Sequence, residues 1–269
     1  MESTLTKESQ VDRALTRSFI YGVLANGFRP PVEGDFLGAV GCAEPTSLDF
    51  EAEGDQGRAD SMVGREAGIG KLAIAVFRTA AAADPSHLAL DYQNLFGHTA
   101  RGKVPPYETE YGSQDLFRQA QELADVAGFY RAFGLAIPES RRERGDHISA
   151  ECEFLSFLAI KEAYDLTRGE ETTTSFAEVR RVERTFLREH LGRFARAFAR
   201  AVAREAGHPF YRALGELCFR FLSLECRAAG IAPGPEFLAH RSERDDDVPM
   251  ACGSSCPLVL KGQETDEDS

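Results

Sequence analysis

Apolar residues recur along most of this chain at the three- and four-residue spacing of helices rather than at the alternation of strands. Val11, Leu15, Phe19 and Val23 form one such stripe and predict a first helix over about 8–27. A short helical segment is expected around 34–40, then a glycine- and charge-rich loop through 51–70 overlapping a helix over 65–83. A helix over 86–97 follows Asp84-Pro85, with Ser86 as its expected N-cap and Leu88, Tyr92, Leu95 and Phe96 on its buried face. Pro105-Pro106 and nearby glycines then force residues 99–113 into an extended loop. Helical periodicity resumes over 114–134, with Leu116, Phe117, Leu123, Phe129, Tyr130 and Phe133 as apolar positions, and stops at Gly134.

A charged, Pro/Gly-bounded stretch from Ile137 to Gly145 is the best internal boundary. Asp146 is expected to cap a helix through about 167, with Phe154, Leu155, Leu158 and Tyr164 inward. Two helices over 175–206 and 208–229 complete the pattern before Pro233 and Pro235. No convincing strand and no repeat of 20 to 50 residues interrupts it. The expected architecture is all-α: a helical bundle in one domain over 1–240, divided into an N-terminal portion (1–136), a charged hinge (137–146) and a C-terminal portion (147–240). An acidic tail, expected to be disordered, occupies 241–269.

Composition narrows the class. With 269 residues, 43% hydrophobic and 28% charged, the chain has the balance of an ordinary globular protein. Its alanine-rich apolar runs are too short and too polar at their ends to span a bilayer. The first residues carry charges where a secretory signal needs an apolar run, so the expected location is the cytoplasm. Six scattered cysteines, at 42, 152, 218, 226, 252 and 256, lack the framework of a disulfide-stapled domain and are expected to be reduced. A net charge of −12 disfavours nucleic acid, whose phosphates require Lys and Arg, and suits a basic partner. Three basic and eight acidic residues in 241–269 put −5 of that charge in the tail and leave −7 in the body.

Candidate chemistry is sparse. Glu205 and His208 make the single Glu-x-x-His pair, which straddles a helix boundary at Gly207-Pro209, whereas a di-metal bundle needs such motifs on facing helices. His147 and Glu151 stand one helical turn apart, but too few further ligands are set out nearby. Cys252 and Cys256 are the one close thiol pair, with His240 as the nearest upstream ligand, and are a weak metal candidate. No phosphate loop, nucleophile elbow or acid/base carboxylate pair is present. Arg193, Arg196, Arg200 and Arg204 form a basic stripe that reads as a solvated face. The competing function from another class is a metal-dependent helical-bundle enzyme using His147, Glu151 and His190.

Three stretches together resemble one family. YQNLFG followed by GKVPPYETEYG is similar to the Leu-Phe helix end and Pro-Pro-Tyr-Glu loop of the TorD/DmsD/NarJ redox-enzyme maturation chaperones. GDHISAECEFLSFL resembles their Pro-Asp-His hinge and following helix, with Gly145 in place of the proline. FLREHLGRFARAF and HPFYRALGELCFRFL resemble their paired C-terminal helices. The resemblance covers about 90–222.

It implies an all-helical chaperone without catalytic residues or a stably bound cofactor. Its partner would be the catalytic subunit of a molybdoenzyme, bound at the N-terminal or twin-arginine signal segment. The molybdopterin guanine dinucleotide belongs to that client, and binding would delay export until it is inserted. Tyr107, Glu108, Tyr111, Asp146, His147, Glu151 and Phe154 are the expected client-peptide residues. Carboxylates here, with Glu110 and Glu153, suit arginines, and the aromatic rings suit the apolar half of a signal. The plainer alternatives are that Glu153 and Phe154 pack a helix, that Tyr107 pins the proline loop, and that Arg141, Arg142 and Arg144 form a solvated linker.

Overall fold

The structure is a computed structural model and describes residues 6–31, 62–97, 102–112, 116–137, 143–168 and 176–240. Among them are eight α-helices: α1 Lys7–Gly27, α2 Met62–Ala81, α3 Pro85–Phe96, α4 Leu116–Ala132, α5 Ile148–Arg168, α6 Phe176–Glu189, α7 Leu191–Glu205 and α8 Pro209–Ala228. Among the described residues a 3-10 turn covers Glu108–Glu110, and the pairing between extended residues there is two isolated bridges. The all-α reading holds. The segment at 34–40, the residues 51–61, Cys42, Arg141, Arg142 and the tail with Cys252 and Cys256 lie outside the described residues.

Helix α1 runs antiparallel to α5: Lys7 Nζ donates to the Thr167 carbonyl at 3.3 Å, and the Ser18 and Ser156 hydroxyls are 3.0 Å apart. Its buried face differs from the expected stripe. Ala14, Arg17, Ser18, Tyr21, Leu24 and Ala25 point inward, while Leu15 is 49% exposed. The polar members are accommodated by partners: Arg17 pairs with Glu162 of α5 at 2.6 Å, with Glu225 of α8 at 2.8 Å and with Glu183 of α6. Tyr21 donates to Glu225 at 3.1 Å. A buried arginine that holds its own helix to three others leaves no apolar signature, so hydrophobic periodicity alone misplaces this face. Tyr164, expected inward, is likewise half exposed.

Helix α3 starts one step earlier than expected. Asp84 accepts from the Ser86 and His87 amides at 3.0 Å each, with Pro85 in the first turn, so Asp84 is the cap. The 175–206 helix is two helices, because His190 breaks it between α6 and α7. One contiguous core runs from α1 to α8. It contains an aromatic cluster of Phe28, Tyr92, Phe96, Phe198 and Tyr211 and a second of Phe129, Tyr130, Phe133, Phe154 and Phe186.

Residues 230–240 turn back across α7 as a strap. Gly234 N donates to Gly192 O at 3.2 Å, Arg196 holds the Gly234 carbonyl, and Arg196 and Arg200 both reach Glu236. The two guanidiniums also lie 4.8 and 4.6 Å from the Phe219 ring centroid. The arginine stripe is therefore a set of anchors for the strap, which corrects the solvated-face reading for Arg196 and Arg200.

Candidate functional site

The Pro-Pro-Tyr-Glu loop is fixed at both ends. At its start Val104 N donates to Leu95 O at 2.8 Å, closing the loop onto the last turn of α3. Gly102 is required there, since a Cβ would collide with the Phe96 carbonyl. At its centre Tyr107 and His147 form an antiparallel bridge, with Glu108 N donating to Asp146 O at 2.9 Å and Ile148 N to Pro106 O at 2.8 Å. At its end Tyr111 bridges to His240 of the strap, and its hydroxyl donates to Pro105 O at 2.9 Å.

Asp146 is fully buried and serves the loop rather than the helix. Its Oδ2 accepts from Thr109 N at 3.2 Å, Thr109 Oγ1 at 2.7 Å and Arg144 Nη2 at 2.8 Å, and its Oδ1 accepts from Arg144 Nε at 3.0 Å. The cap of α5 is His147, whose Nδ1 accepts from Ser149 N at 3.1 Å. This corrects the expected capping by Asp146. Arg144 also reaches Glu110 at 3.2 Å and lies 4.4 Å over the Tyr107 ring, so it staples the loop to the start of α5 and is not part of a solvated linker. Burial lowers the His147 pKa to about 3, with Arg29 and Arg144 adding to the effect, so the ring is neutral.

Glu108 is 2% exposed and joins the loop to the helix break. His190 Nδ1 is 3.1 Å from its Oε2, and Arg193 Nη1 is 3.4 Å from its Oε1. Burial raises the Glu108 pKa, opposed by His190 and Arg193. His190 Nε2 lies 3.3 Å from Asp125 Oδ2 without the alignment of a hydrogen bond, and Arg193 also reaches Glu122 at 3.3 Å. Glu151 is fully buried, and neither of its carboxyl oxygens has a hydrogen-bond partner among the described residues. Burial, then Glu108 and Asp146, hold its pKa well above the usual carboxylate range. Phe154 is buried against Phe186, Tyr130 and Phe133.

A groove of about 530 Å3 opens beside this staple. Of the seven expected client residues, Glu108 and Tyr111 line it. Tyr107, Asp146 and His147 form the joint that holds the loop, while Glu151 and Phe154 lie in the first turns of α5. The remaining walls come from Leu187, Gly192 and Phe194 at the helix break and from Ile231, Pro235 and Leu238 of the strap, with Arg184 and Arg188 on α6. Periodicity within a single helix gives no hint of these walls. The signal that marks them is the Glu-His-Leu-Gly step at 189–192, where a small residue and a polar ring interrupt an otherwise strong helical pattern.

The metal-enzyme alternative has no geometric support. His147 is engaged with Ser149 and His190 with Glu108, and no group of three or more His, Cys, Asp or Glu among the described residues could hold a metal. Glu205 pairs with Arg204, while His208 caps α8 by accepting from Phe210 N at 3.1 Å. No helix among the described residues is long and apolar enough to cross a membrane.

Comparison with known proteins agrees with the motif-bearing segments. The family model described as nitrate reductase delta subunit matches residues 63–200. A perchlorate reductase assembly chaperone protein of Dechloromonas aromatica (strain RCB) is 32% identical over 100 residues, covering 37% of this chain and 43% of that protein. The chaperone protein TorD of Vibrio cholerae serotype O1 (strain ATCC 39315 / El Tor Inaba N16961) is 25% identical over 137 residues, covering 50% of this chain and 59% of that protein. The chain thus matches about half the length of these relatives. With the family model spanning half of the chain, and the loop, the α5 start and the paired helices assembled as described, the chain belongs to the nitrate reductase delta subunit family of TorD/NarJ-type maturation chaperones.

Proposed function

We propose that this protein is a cytoplasmic assembly chaperone for a molybdopterin-enzyme catalytic subunit. It binds the N-terminal or twin-arginine signal segment of that subunit and assists cofactor insertion before export, and it carries no cofactor of its own. The observation that supports this reading is convergence. The three stretches that carry the family resemblance are far apart in sequence, yet the Glu108–His190–Arg193 contacts and the Asp146–Thr109–Arg144 staple bring them to the edge of one groove.

The groove suits an extended peptide with an apolar run. Ile231 and Leu238 offer apolar surface, Tyr111 backs it with a flat ring, and Asp125 on α4, its side chain 61% exposed, stands as a partner for an arginine. Glu108 and Tyr111 are assigned direct contact. A client that engages Asp146, His147, Glu151 or Phe154 has to lift the loop first, and the ion pairs of Arg144 oppose that step. Moderate affinity follows, as release requires.

The test is capture. Tagged full-length protein from its native cells, grown under anaerobic respiratory conditions, is expected to bring down a molybdoenzyme catalytic subunit. Ile231→Ser with Leu238→Ser, two half-buried strap residues that line the groove, checked for an unchanged unfolding midpoint, is expected to reduce that recovery by about tenfold, on the order of the loss of two apolar contacts. Recovery of no such subunit under any respiratory condition would rule the reading out.

A further inference from the structure

The rim of the groove carries charge that the described residues leave unused. Arg184 is exposed and makes no hydrogen bond or ion pair among them, and Arg188 pairs only with the neighbouring Glu189, both of them about half exposed. This positive edge belongs to a protein whose net charge is −12. The strap ends at the same place: His240 bridges to Tyr111, with ring centroids 5.2 Å apart, and Tyr111 lines the groove. The residues that follow read Arg-Ser-Glu-Arg-Asp-Asp-Asp-Val-Pro-Met, so Asp245, Asp246 and Asp247 stand five to seven positions beyond His240, followed by Val248, Pro249 and Met250. At about 3.3 Å per residue, the aspartates can reach roughly 17–23 Å and Met250 about 33 Å from the strap's end.

We propose that residues 243–250 of the same chain dock in this groove, the aspartates against Arg184 and Arg188 and the Val-Pro-Met step against Ile231 and Leu238, and that a client segment has to displace them. The acidic-then-apolar order matches an exposed basic rim beside an apolar floor. Tethering at His240 supplies an effective concentration on the order of millimolar, so weak exposed ion pairs suffice to fill the groove. Docking rests on the groove and the charges alone. Displacement by a client rests on the function proposed above.

Amide hydrogen exchange on the full-length protein tests docking without any client. The triple variant Asp245→Asn, Asp246→Asn, Asp247→Asn is expected to speed exchange in 187–194 and 230–238 by at least about threefold, with α1 and α5 unchanged, and Arg184→Glu with Arg188→Glu is expected to do the same. Unchanged exchange in both variants overturns the proposal. Protection that fades on dilution also overturns it, because it shows a second copy's tail in the groove. A second arm measures the affinity of a synthetic twin-arginine signal peptide. Tighter binding to the triple variant, by about threefold or more, supports displacement. Faster exchange with unchanged peptide affinity upholds docking and places the client elsewhere.

Discussion

Asp146 has no contact with solvent, and its carboxylate receives four hydrogen bonds from Thr109 and Arg144. An amide in its place keeps one acceptor and turns a donor toward Thr109 or Arg144. Asp146→Asn is therefore expected to lower stability by about 2–4 kcal/mol in urea unfolding at pH 7. Asp84→Asn, at an exposed cap where both residues serve equally, is expected to change it by less than about 0.5 kcal/mol. Two neighbours one turn apart have opposite dependence on pH. His147 has its pKa lowered by burial to about 3, so its contribution is complete above the unfolded value of 6.5 and fades as pH falls toward 3. Glu151 has its pKa raised by burial, so its contribution is complete below 4.5 and fades as pH rises through its folded value. His147→Asn, which retains a capping side chain, is expected to gain on the parent as pH drops from 6.5. Glu151→Gln is expected to gain on the parent as pH rises above 4.5. Parallel pH–stability profiles for parent and variants would contradict both assignments. The loop, the Asp-His step and their acidic character were readable in the sequence, since Pro105-Pro106 and the break at Gly145 punctuate it. Which atoms the side chains serve was not, because Asp146 and Thr109 meet only across a turn of 37 residues.

At the level of elements, the decisive feature is the break between α6 and α7. His190 leaves the helix to meet Glu108, and Gly192 lets the new helix start against the old one: a Cβ there would collide with the Leu187 carbonyl and stand 3.1 Å from Cys226 Sγ. Gly192→Ala is expected to cost about 2–3 kcal/mol and to disturb the strap, which hydrogen-bonds through Gly234 N to Gly192 O. Gly128→Ala, in the middle of α4 with open space around it, is expected to add about 0.5–1 kcal/mol. Comparison of the two unfolding midpoints checks this. Equal effects would mean that the close approach at Gly192 is not needed. Most helices were legible because each keeps a regular spacing over at least three turns. The break was hidden because Phe186, His190, Phe194 and Ala197 keep a three- and four-residue rhythm straight through it; the Glu-His-Leu-Gly step is its local mark, and the contact with the distant loop accompanies the stop. The strap was hidden for a different reason. Its anchors, Arg196 and Arg200, look like any solvated stripe until Glu236 and Phe219 are placed beside them.

For the molecule as a whole, helices from both sides of the 137–146 segment share one core, and the ion cluster around Arg17 joins α1 to α5, α6 and α8. That rigid body presents a loop, a helix break and a strap around one groove, an arrangement suited to gripping an extended segment and letting it go. The central claim is that it holds a molybdoenzyme catalytic subunit until the cofactor is in place. The most direct measurement is the affinity of the full-length protein for that subunit purified in two forms, without and with its molybdopterin cofactor. The account predicts binding to the empty form at least about tenfold tighter than to the loaded one, a difference of about 1.4 kcal/mol. Equal affinity for both forms, or binding to neither, would contradict it.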